Sequence, residues 1–259
     1  MKSAAKHLGQ SSEEKAIAID LFCGLGGWAH AFLDRGYRII GFDIEAHDYG
    51  NGSYPGELLL RDIRSISGAE LVKQYGVPAC IVASPPCQQY SYMSMPWQRA
   101  KQIQKALLGE GEFPEGYKGA RTISELTDLF NQCFRVQREI SQAAGHHVPM
   151  IVENVRGAQG WVGKARWNFG SYYLWGDVPA LMPIPKNKSL TEGTKGFTPN
   201  SEPLGKNTFA RMYGSKSKSR KQASAEIAKI PTALARWIAV TFKPKSPLHG
   251  SPWSIRLSV

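Results

Sequence analysis

Short apolar runs alternate with helical patterns through the first 155 residues of this chain. The apolar runs are residues 16–22, 38–42, 79–83 and 148–152. Helical patterns fill residues 28–35 and 123–144 between them. Buried parallel strands read as continuous apolar runs, and the helices that join them make right-handed crossovers. The pattern therefore predicts an α/β fold with a doubly wound, mostly parallel sheet.

Each apolar run leads into a residue with turn or polar chemistry. These are the glycine turn at residues 24–27, Asp43, the turn Ser84-Pro85-Pro86-Cys87 and Glu153. Open α/β sheets bind ligands beyond the carboxyl ends of their strands. Because all four segments fall at that edge, we expect a binding or catalytic site there.

The length and composition of the chain limit the classes of protein to which it can belong. A chain of 259 residues can bury one substantial core. No apolar run approaches the roughly 20 residues that span a bilayer, and residues 1–15 lack the apolar stretch of a signal peptide. We therefore expect a cytoplasmic protein. Its four cysteines show no CxxC pair and no zinc-like spacing with histidine, so we expect thiols and no metal site.

Positive charge dominates, with a formal net charge of +11. Such an excess concentrates polyanions, of which nucleic acid is the common one, although it can also serve solubility alone. Lysine and arginine gather between residues 186 and 221, in a stretch rich in Gly, Pro, Ser, Thr and Asn. That stretch is either a disordered basic linker or a loop-built surface that grips phosphates.

The glycine turn, Asp20-Leu21-Phe22-Cys23-Gly24-Leu25-Gly26-Gly27, joins the end of a strand to the start of a helix. Glycines let a backbone approach a ligand closely, although such a turn occurs in many nucleotide-binding sheets. Asp43, at the end of the second strand, suits the diol of a ribose, and Asp62 could accept from an adenine amino group. The alternatives are a turn residue at 43 and a helix cap at 62.

The segment Ser84-Pro85-Pro86-Cys87-Gln88 is more specific. Two prolines fix the backbone just before a thiol, and covalent catalysis needs such rigidity because a misplacement of about 1 Å can cost ~100-fold in rate. A structural cysteine more often lies within a strand, as Cys80 does. Glu153 would face the same pocket, unless it caps a helix or lies on the surface.

The segments DLFCGLGG, SPPCQ and ENV, in this order, resemble the DNA (cytosine-5-)-methyltransferase family, and the compact size resembles its phage or bacterial type. The resemblance spans residues 16–155 and continues weakly to about residue 242. It implies a class I, Rossmann-like S-adenosylmethionine-dependent methyltransferase that needs no metal. It also implies methyl transfer to carbon 5 of a cytosine flipped out of double-stranded DNA, as in restriction–modification.

The resemblance further implies roles for individual residues. The implied catalytic residues are Cys87 as nucleophile, Glu153 as acid at ring nitrogen 3, and Arg166. The implied cofactor residues are Phe22, Gly24, Leu25, Gly26, Gly27, Asp43, Ile44, Asp62, Ile63, Ser84, Pro86 and Leu129. The candidates for contact with the substrate DNA are Gln88, Ser91, Asn154, Arg211, Lys216, Lys218 and Arg220.

Three segments depart from the family pattern. Residues 88–121 exceed the mobile loop expected there, Arg166 stands alone where the family has Arg-x-Arg, and residues 227–231 keep a proline but lose an asparagine. Two alternatives therefore remain open: a transfer-RNA cytosine-5 methyltransferase, and an inactive DNA-binding relative, against which the intact Cys87 and Glu153 argue.

We expect a monomer organised in five segments. They are an N-terminal extension (1–15), a catalytic domain (16–180), a small basic target-recognition region (181–222), a helix returning to the catalytic domain (223–242) and a tail (243–259).

Overall fold

A computed structural model of the chain describes residues 15–48, 53–88, 90–91, 97–114, 122–183 and 228–244. Within these residues one seven-stranded sheet organises the fold. Its strands are β1 (Ile17–Leu21), β2 (Arg38–Asp43), β3 (Glu57–Leu60), β4 (Cys80–Ala83), β5 (Met150–Asn154), β6 (Trp167–Phe169) and β7 (Tyr172–Gly176). The strand order is β3-β2-β1-β4-β5-β7-β6.

The first five strands are parallel, whereas β7 pairs antiparallel with both β5 and β6. The chain leaves β1 toward β2 and β3, then returns to continue on the other side at β4. This is the doubly wound, mostly parallel sheet that the sequence predicts, and the predicted class I fold is confirmed.

Helices cover both faces of the sheet. They are α1 (Ala29–Asp34), α2 (Gly68–Tyr75), α3 (Trp97–Leu107), α4 (Ile123–Ala144), α5 (Gln159–Val162) and α6 (Thr232–Thr241). One hydrophobic cluster lies between the sheet and α4, and a second lies between the sheet and the pair α1 and α6. The strands alternate between the clusters, so that Ala18 joins one and Ile19 the other. Burial on both faces explains why these strands are apolar throughout.

The predicted strand boundaries hold closely for β1, β2 and β4. The run 148–152 is displaced, because β5 begins at Met150 and continues through Glu153 to Asn154. Segment 88–121 is not loop alone, since α3 forms within it and buries Ala100 and Ile103. The short helix α2 and the half-exposed strand β3 lie where the sequence predicts neither.

Candidate active site

The predicted functional segments meet at the carboxyl edge of the sheet. The order of the strands places Asp62, Asp43, the glycine turn, Cys87 and Glu153 along that edge in this sequence. The topological switch point, where open α/β sheets bind their ligands, falls between β1 and β4. Predicted cofactor residues thus lie mainly on the β3-β2-β1 side, and the predicted reactive side chains on the β4-β5 side.

The glycine turn follows β1 with an unusual backbone. Phe22 has φ +58°, and Gly24 and Gly26 have φ +48° and +72°. A non-glycine residue in this region costs about 1–2 kcal/mol, and such strain clusters at functional sites. A Cβ at Gly26 would lie 2.6 Å from Pro55 Cδ, whereas a Cβ at Gly24 would meet no atom of the described residues within 4 Å. Gly26 therefore packs against protein, and Gly24 borders the open space that a ligand can enter.

Gly27 brings the C-terminal part of the described chain against the turn. A Cβ at this position would lie 2.6 Å from the backbone nitrogen of Ile230, just before α6. Tyr172 also reaches this connection, because its hydroxyl donates to the carbonyl of Lys229 over 3.1 Å. The approach to α6 therefore depends on glycine at position 27.

Asp43 joins β2 to the glycine turn. Its Oδ2 accepts from Gly24 N at 3.0 Å, its Oδ1 accepts from Ile44 N at 2.8 Å, and His47 Nε2 lies 3.4 Å from Oδ1. Burial alone would raise the pKa of Asp43, but hydrogen bonds from His47 and from the Gly24 N–H outweigh it and hold that pKa below its usual value. The carboxylate is therefore ionised beside Ile44, an aliphatic side chain that is 72% exposed.

Asp62 takes the capping role that was the alternative to adenine binding. Its Oδ1 accepts from Arg64 N at 2.9 Å, at the start of a short 3₁₀ helix from Ile63 to Ser65. Its Oδ2 lies 3.1 Å from Arg64 Nη1. The side chain stays exposed at the cofactor side of the edge, whereas Ile63 is buried.

The turn that carries Cys87 is anchored to three other parts of the fold. Ser84 N donates to Leu21 O at 3.1 Å, and Ser84 Oγ accepts from Trp28 Nε1 at 3.0 Å. The Asn154 side chain donates from Nδ2 to Pro85 O at 2.9 Å. Cys87 is partly exposed. Its turn is therefore tied to β1, to the start of α1 and to β5.

The other three cysteines differ from Cys87 in their surroundings. Cys23, Cys80 and Cys133 are buried, and burial raises the pKa of each thiol. A raised pKa keeps a thiol protonated and unreactive. Position and exposure both favour Cys87 as the reactive cysteine.

Glu153 is buried, with 9% of its surface exposed, and pairs across the sheet with Leu174. It is neither a helix cap nor a surface acid, because it lies within β5. Burial, and the nearby carboxyl group of Glu153, raise the pKa of Tyr172 to about 12. The hydroxyl of Tyr172 therefore stays protonated near this carboxyl group. Sequence reasoning missed Tyr172, whose relation to Glu153 depends on the β5–β7 pairing.

Arg166 lies beside β6, and its backbone N donates to Leu174 O at 2.8 Å. Strand β7 therefore runs between Arg166 and Glu153, and the side chain of Arg166 is exposed. Two strand spacings amount to about 10 Å, which a long arginine side chain or a bound substrate must bridge.

The remaining predicted residues take varied positions. Phe22 and Leu129 pack against the cluster between the sheet and α4. Leu25 and Ser91 are partly buried, whereas Pro86 and Gln88 are exposed. The four basic candidates for DNA contact lie outside the described residues: Arg211, Lys216, Lys218 and Arg220.

A buried pair beneath the glycine turn was missed by the sequence reasoning. The Tyr54 hydroxyl donates to Asp20 Oδ2 at 3.1 Å. Burial raises the pKa of Asp20 well above its usual value, although the bond from Tyr54 opposes this. The Tyr54 ring fits only because residue 41 is glycine, where a Cβ would lie 2.5 Å from Tyr54 Cζ. Gly41 within an apolar strand was the available signal.

Two kinds of feature are absent from the described part of the chain. No helix there has the length and apolar character that crossing a membrane requires. Within the same residues, no group of three or more His, Cys, Asp or Glu side chains could hold a metal ion.

Comparison with known proteins gives one family match. Residues 17–107 match the family model described as C-5 cytosine-specific DNA methylase. No curated protein matches the chain.

Two solved structures show a partial likeness. The Entamoeba histolytica methyltransferase EhMeth is 18% identical with a TM-score of 0.36, over 58% of this chain and 41% of EhMeth. A mutant of Spodoptera frugiperda DNMT2 is 18% identical with a TM-score of 0.29, over 57% of this chain and 38% of that protein. In each case the likeness spans less than half of the other protein.

The match over residues 17–107 includes the glycine turn, Asp43 and the Cys87 turn. This segment, about a third of the chain, is similar to the C-5 cytosine-specific DNA methylases.

Proposed function

We propose that this protein transfers a methyl group from S-adenosylmethionine to carbon 5 of a cytosine in double-stranded DNA, through a covalent bond to Cys87. The observation that carries the proposal is the turn of Cys87. That turn is tied to β1 through Ser84 and to β5 through Asn154, which follows Glu153 directly. A partly exposed thiol and a buried carboxyl group are thus mounted on adjacent strands.

The β3-β2-β1 side of the edge fits the proposed cofactor. The ionised Asp43 can accept from the ribose hydroxyls, and the exposed side chain of Ile44 offers an apolar surface to an adenine ring. The open space at Gly24 admits the methionine part close to the backbone. When bound there, S-adenosylmethionine supplies an electrophilic methyl group on its sulfonium.

The spacing of the strands leaves room for a second ring beside the cofactor. The strands that carry Asp43 and Glu153 are three positions apart in the sheet, so about 14 Å separates their axes. The proposed target cytosine would occupy the part of the edge near Cys87 and Glu153. A base within a duplex cannot reach this edge, so the proposal includes flipping of the cytosine, at a cost of a few kcal/mol.

In the first proposed step, the Cys87 thiolate adds to carbon 6 of the cytosine. A carbon–sulfur bond forms, and the electron pair of the carbon 5–carbon 6 double bond becomes available at carbon 5. The carboxyl group of Glu153, in its protonated form, donates to ring nitrogen 3 and stabilises the charge that develops there.

In the following steps, carbon 5 takes the methyl group and then loses its proton to water. The electron pair of that carbon–hydrogen bond restores the ring double bond as the carbon–sulfur bond breaks, and Cys87 leaves as the thiolate. The products are 5-methylcytosine, S-adenosylhomocysteine and one proton.

Double-stranded DNA is the proposed substrate because the family model that matches residues 17–107 is described as a DNA methylase and because the net charge of +11 suits a polyanion. We assign target recognition to residues 181–222, with catalysis in 16–180 and a returning helix in 223–242. The other proposals are a monomer in the cytoplasm and a compact phage or bacterial type of enzyme, as in restriction–modification.

A transfer assay with methyl-labelled S-adenosylmethionine tests the proposal. Duplex DNA and transfer RNA are offered separately to the wild type, to Cys87→Ala and to the matched control Cys133→Ala. We expect label in duplex DNA with the wild type and the control, and none with Cys87→Ala. Bisulfite sequencing of plasmid from expressing cells then gives the position of the methyl group.

The other outcomes are distinct. Label in transfer RNA alone would overturn the DNA substrate but not the chemistry. Full transfer by Cys87→Ala would overturn the covalent mechanism. Absence of label from both nucleic acids, with no methylated plasmid cytosine, would refute the proposed activity.

A further inference from the structure

The sheet does not by itself fix the position of the Cys87 thiol. Cys87 lies four residues beyond Ala83, the last residue of β4, whereas Glu153 lies within β5. The bond from Asn154 to Pro85 holds the turn on the N-terminal side of Cys87. The C-terminal side requires a separate anchor.

Tyr90 supplies that anchor. Its backbone N donates to Cys87 O at 3.0 Å, and its hydroxyl donates to Leu126 O in α4 at 2.8 Å. The side chain is 2% exposed and belongs to the cluster that includes Phe130. A buried hydroxyl is costly unless it is hydrogen-bonded, and packing alone would be served by phenylalanine. The hydroxyl therefore fixes Tyr90 against one carbonyl of α4.

The opposite side of Tyr90 meets the loop that follows Glu153. A Cβ added at Gly157 would overlap the carbonyl oxygen of Tyr90. Gly157 belongs to a short 3₁₀ helix from Arg156 to Ala158, and Ala158 N donates to Val155 O at 3.0 Å. Only glycine at position 157 lets the two backbones come this close.

We propose that Tyr90 is a positioning residue for methyl transfer, which sets the thiol of Cys87 relative to Glu153, and that Gly157 provides the contact that makes this possible. The inference rests on the proposed function. The thiol must meet carbon 6 of the ring while the carboxyl group meets nitrogen 3, so their separation has to be held constant. The contacts of Tyr90 with Cys87, α4 and Gly157 hold it.

The test measures formation of the covalent adduct with DNA in which every cytosine is 5-fluorocytosine, in the presence of S-adenosylmethionine. Fluorine replaces the proton that a base would remove from carbon 5, and fluorine cannot be removed in this way. The carbon–sulfur bond to Cys87 therefore persists, and the amount of adduct can be measured. The variants are Tyr90→Phe and Gly157→Ala. The cofactor dissociation constant and the unfolding temperature are measured in parallel.

Two matched controls separate positioning from packing. Tyr37 is also buried, and its hydroxyl donates to the carbonyl of Ala239 at 2.9 Å in the other helical layer. Tyr37→Phe therefore removes the same kind of bond far from Cys87. Gly160→Ala adds a methyl group three residues after Gly157, where its nearest neighbour is the flexible Leu107 side chain at 3.1 Å.

We expect Tyr90→Phe to slow adduct formation by about 10-fold and Gly157→Ala by about 100-fold, with cofactor affinity within about twofold of wild type, because small displacements of a reacting group cost rate. Both controls should form the adduct at the wild-type rate.

An adduct formed by Tyr90→Phe at the wild-type rate, with a loss of stability like that of Tyr37→Phe, would overturn the positioning role and leave the proposed function standing. Tyr90→Phe keeps this test decisive even where Gly157→Ala fails to fold. Failure of the wild type to form any adduct would instead refute the covalent mechanism, and this inference with it.

Discussion

Replacing Asn154 by alanine tests whether the turn of Cys87 is held from β5. The change removes the 2.9 Å bond from Nδ2 to Pro85 O, which is buried, and leaves that carbonyl without its donor. A buried acceptor left unpaired costs about 1–3 kcal/mol. For a chain of this size each kcal/mol lowers the unfolding temperature by about 2–4 °C, so we expect a fall of about 2–12 °C.

The rate of methyl transfer by Asn154→Ala should fall strongly even where its unfolding temperature falls only slightly. If the loss of the bond lets the turn shift by about 1 Å, methyl transfer should slow by about 100-fold. The affinity for S-adenosylmethionine should stay near that of the wild type, because Asn154 lies on β5 and Asp43 lies three strands away. Asn154→Asp should be as damaging. The aspartate still accepts from Val155 N, but its second carboxylate oxygen would face the carbonyl oxygen of Pro85 and repel it.

Thermal unfolding, label transfer and calorimetric titration of the cofactor measure the three quantities. Asn168→Ala is the matched control, because Asn168 is an exposed asparagine whose Nδ2 donates to Gly170 O at 3.0 Å. If Asn154→Ala unfolds within about 1 °C of the wild type and transfers methyl groups at the wild-type rate, the bond to Pro85 does not hold the turn.

Three further changes give separate tests. Cys87→Ala should abolish transfer and leave the cofactor dissociation constant within about twofold of wild type, and a titration showing lost cofactor binding would contradict this division of the site. The lowered pKa of Asp43 implies stability that is present above the usual carboxyl pKa, about 4, and lost as the pH falls through the lowered value. Acid unfolding of the wild type should therefore show a loss that Asp43→Asn lacks, and parallel pH curves would argue against it. Gly27→Ala should lower the unfolding temperature more than Gly24→Ala. A Cβ at residue 27 would lie 2.6 Å from Ile230 N, whereas alanine at residue 24 carries only the strain of its φ of +48° and meets no described atom within 4 Å. Calorimetry showing the reverse order would refute this packing.

The central strands were predictable because burial on both faces leaves a pattern within a few residues. Strands β1, β2 and β4 are apolar along their length for that reason. The strand β3 is short and only partly buried, so its pattern did not distinguish it from a loop. The helix α3 forms in a segment expected as loop, and the burial of Ala100 and Ile103 within it depends on the folded chain.

The candidate site likewise contains features that the sequence predicted and features that it left open. The prolines before Cys87 fix their own backbone, and the glycines after β1 allow conformations that other residues resist. Both turns can therefore be predicted from residues adjacent in the chain. The role of Asp62 could not be settled locally, because a carboxylate suits both a ligand and a cap. The structure shows the cap, through the bond from Arg64 N.

The sequence, read alone, specifies the parallel sheet, the glycine turn and the thiol at the edge, because each depends on residues adjacent in the chain. The hydrogen bonds near the glycine turn and the Cys87 turn join residues that are far apart in the chain. Tyr54 reaches Asp20 across 34 positions, Tyr90 reaches Leu126 across 36, and Asn154 reaches Pro85 across 69. A hydrogen bond requires a donor and an acceptor at about 3 Å, and for such distant pairs only the packing of sheet and helices brings them together.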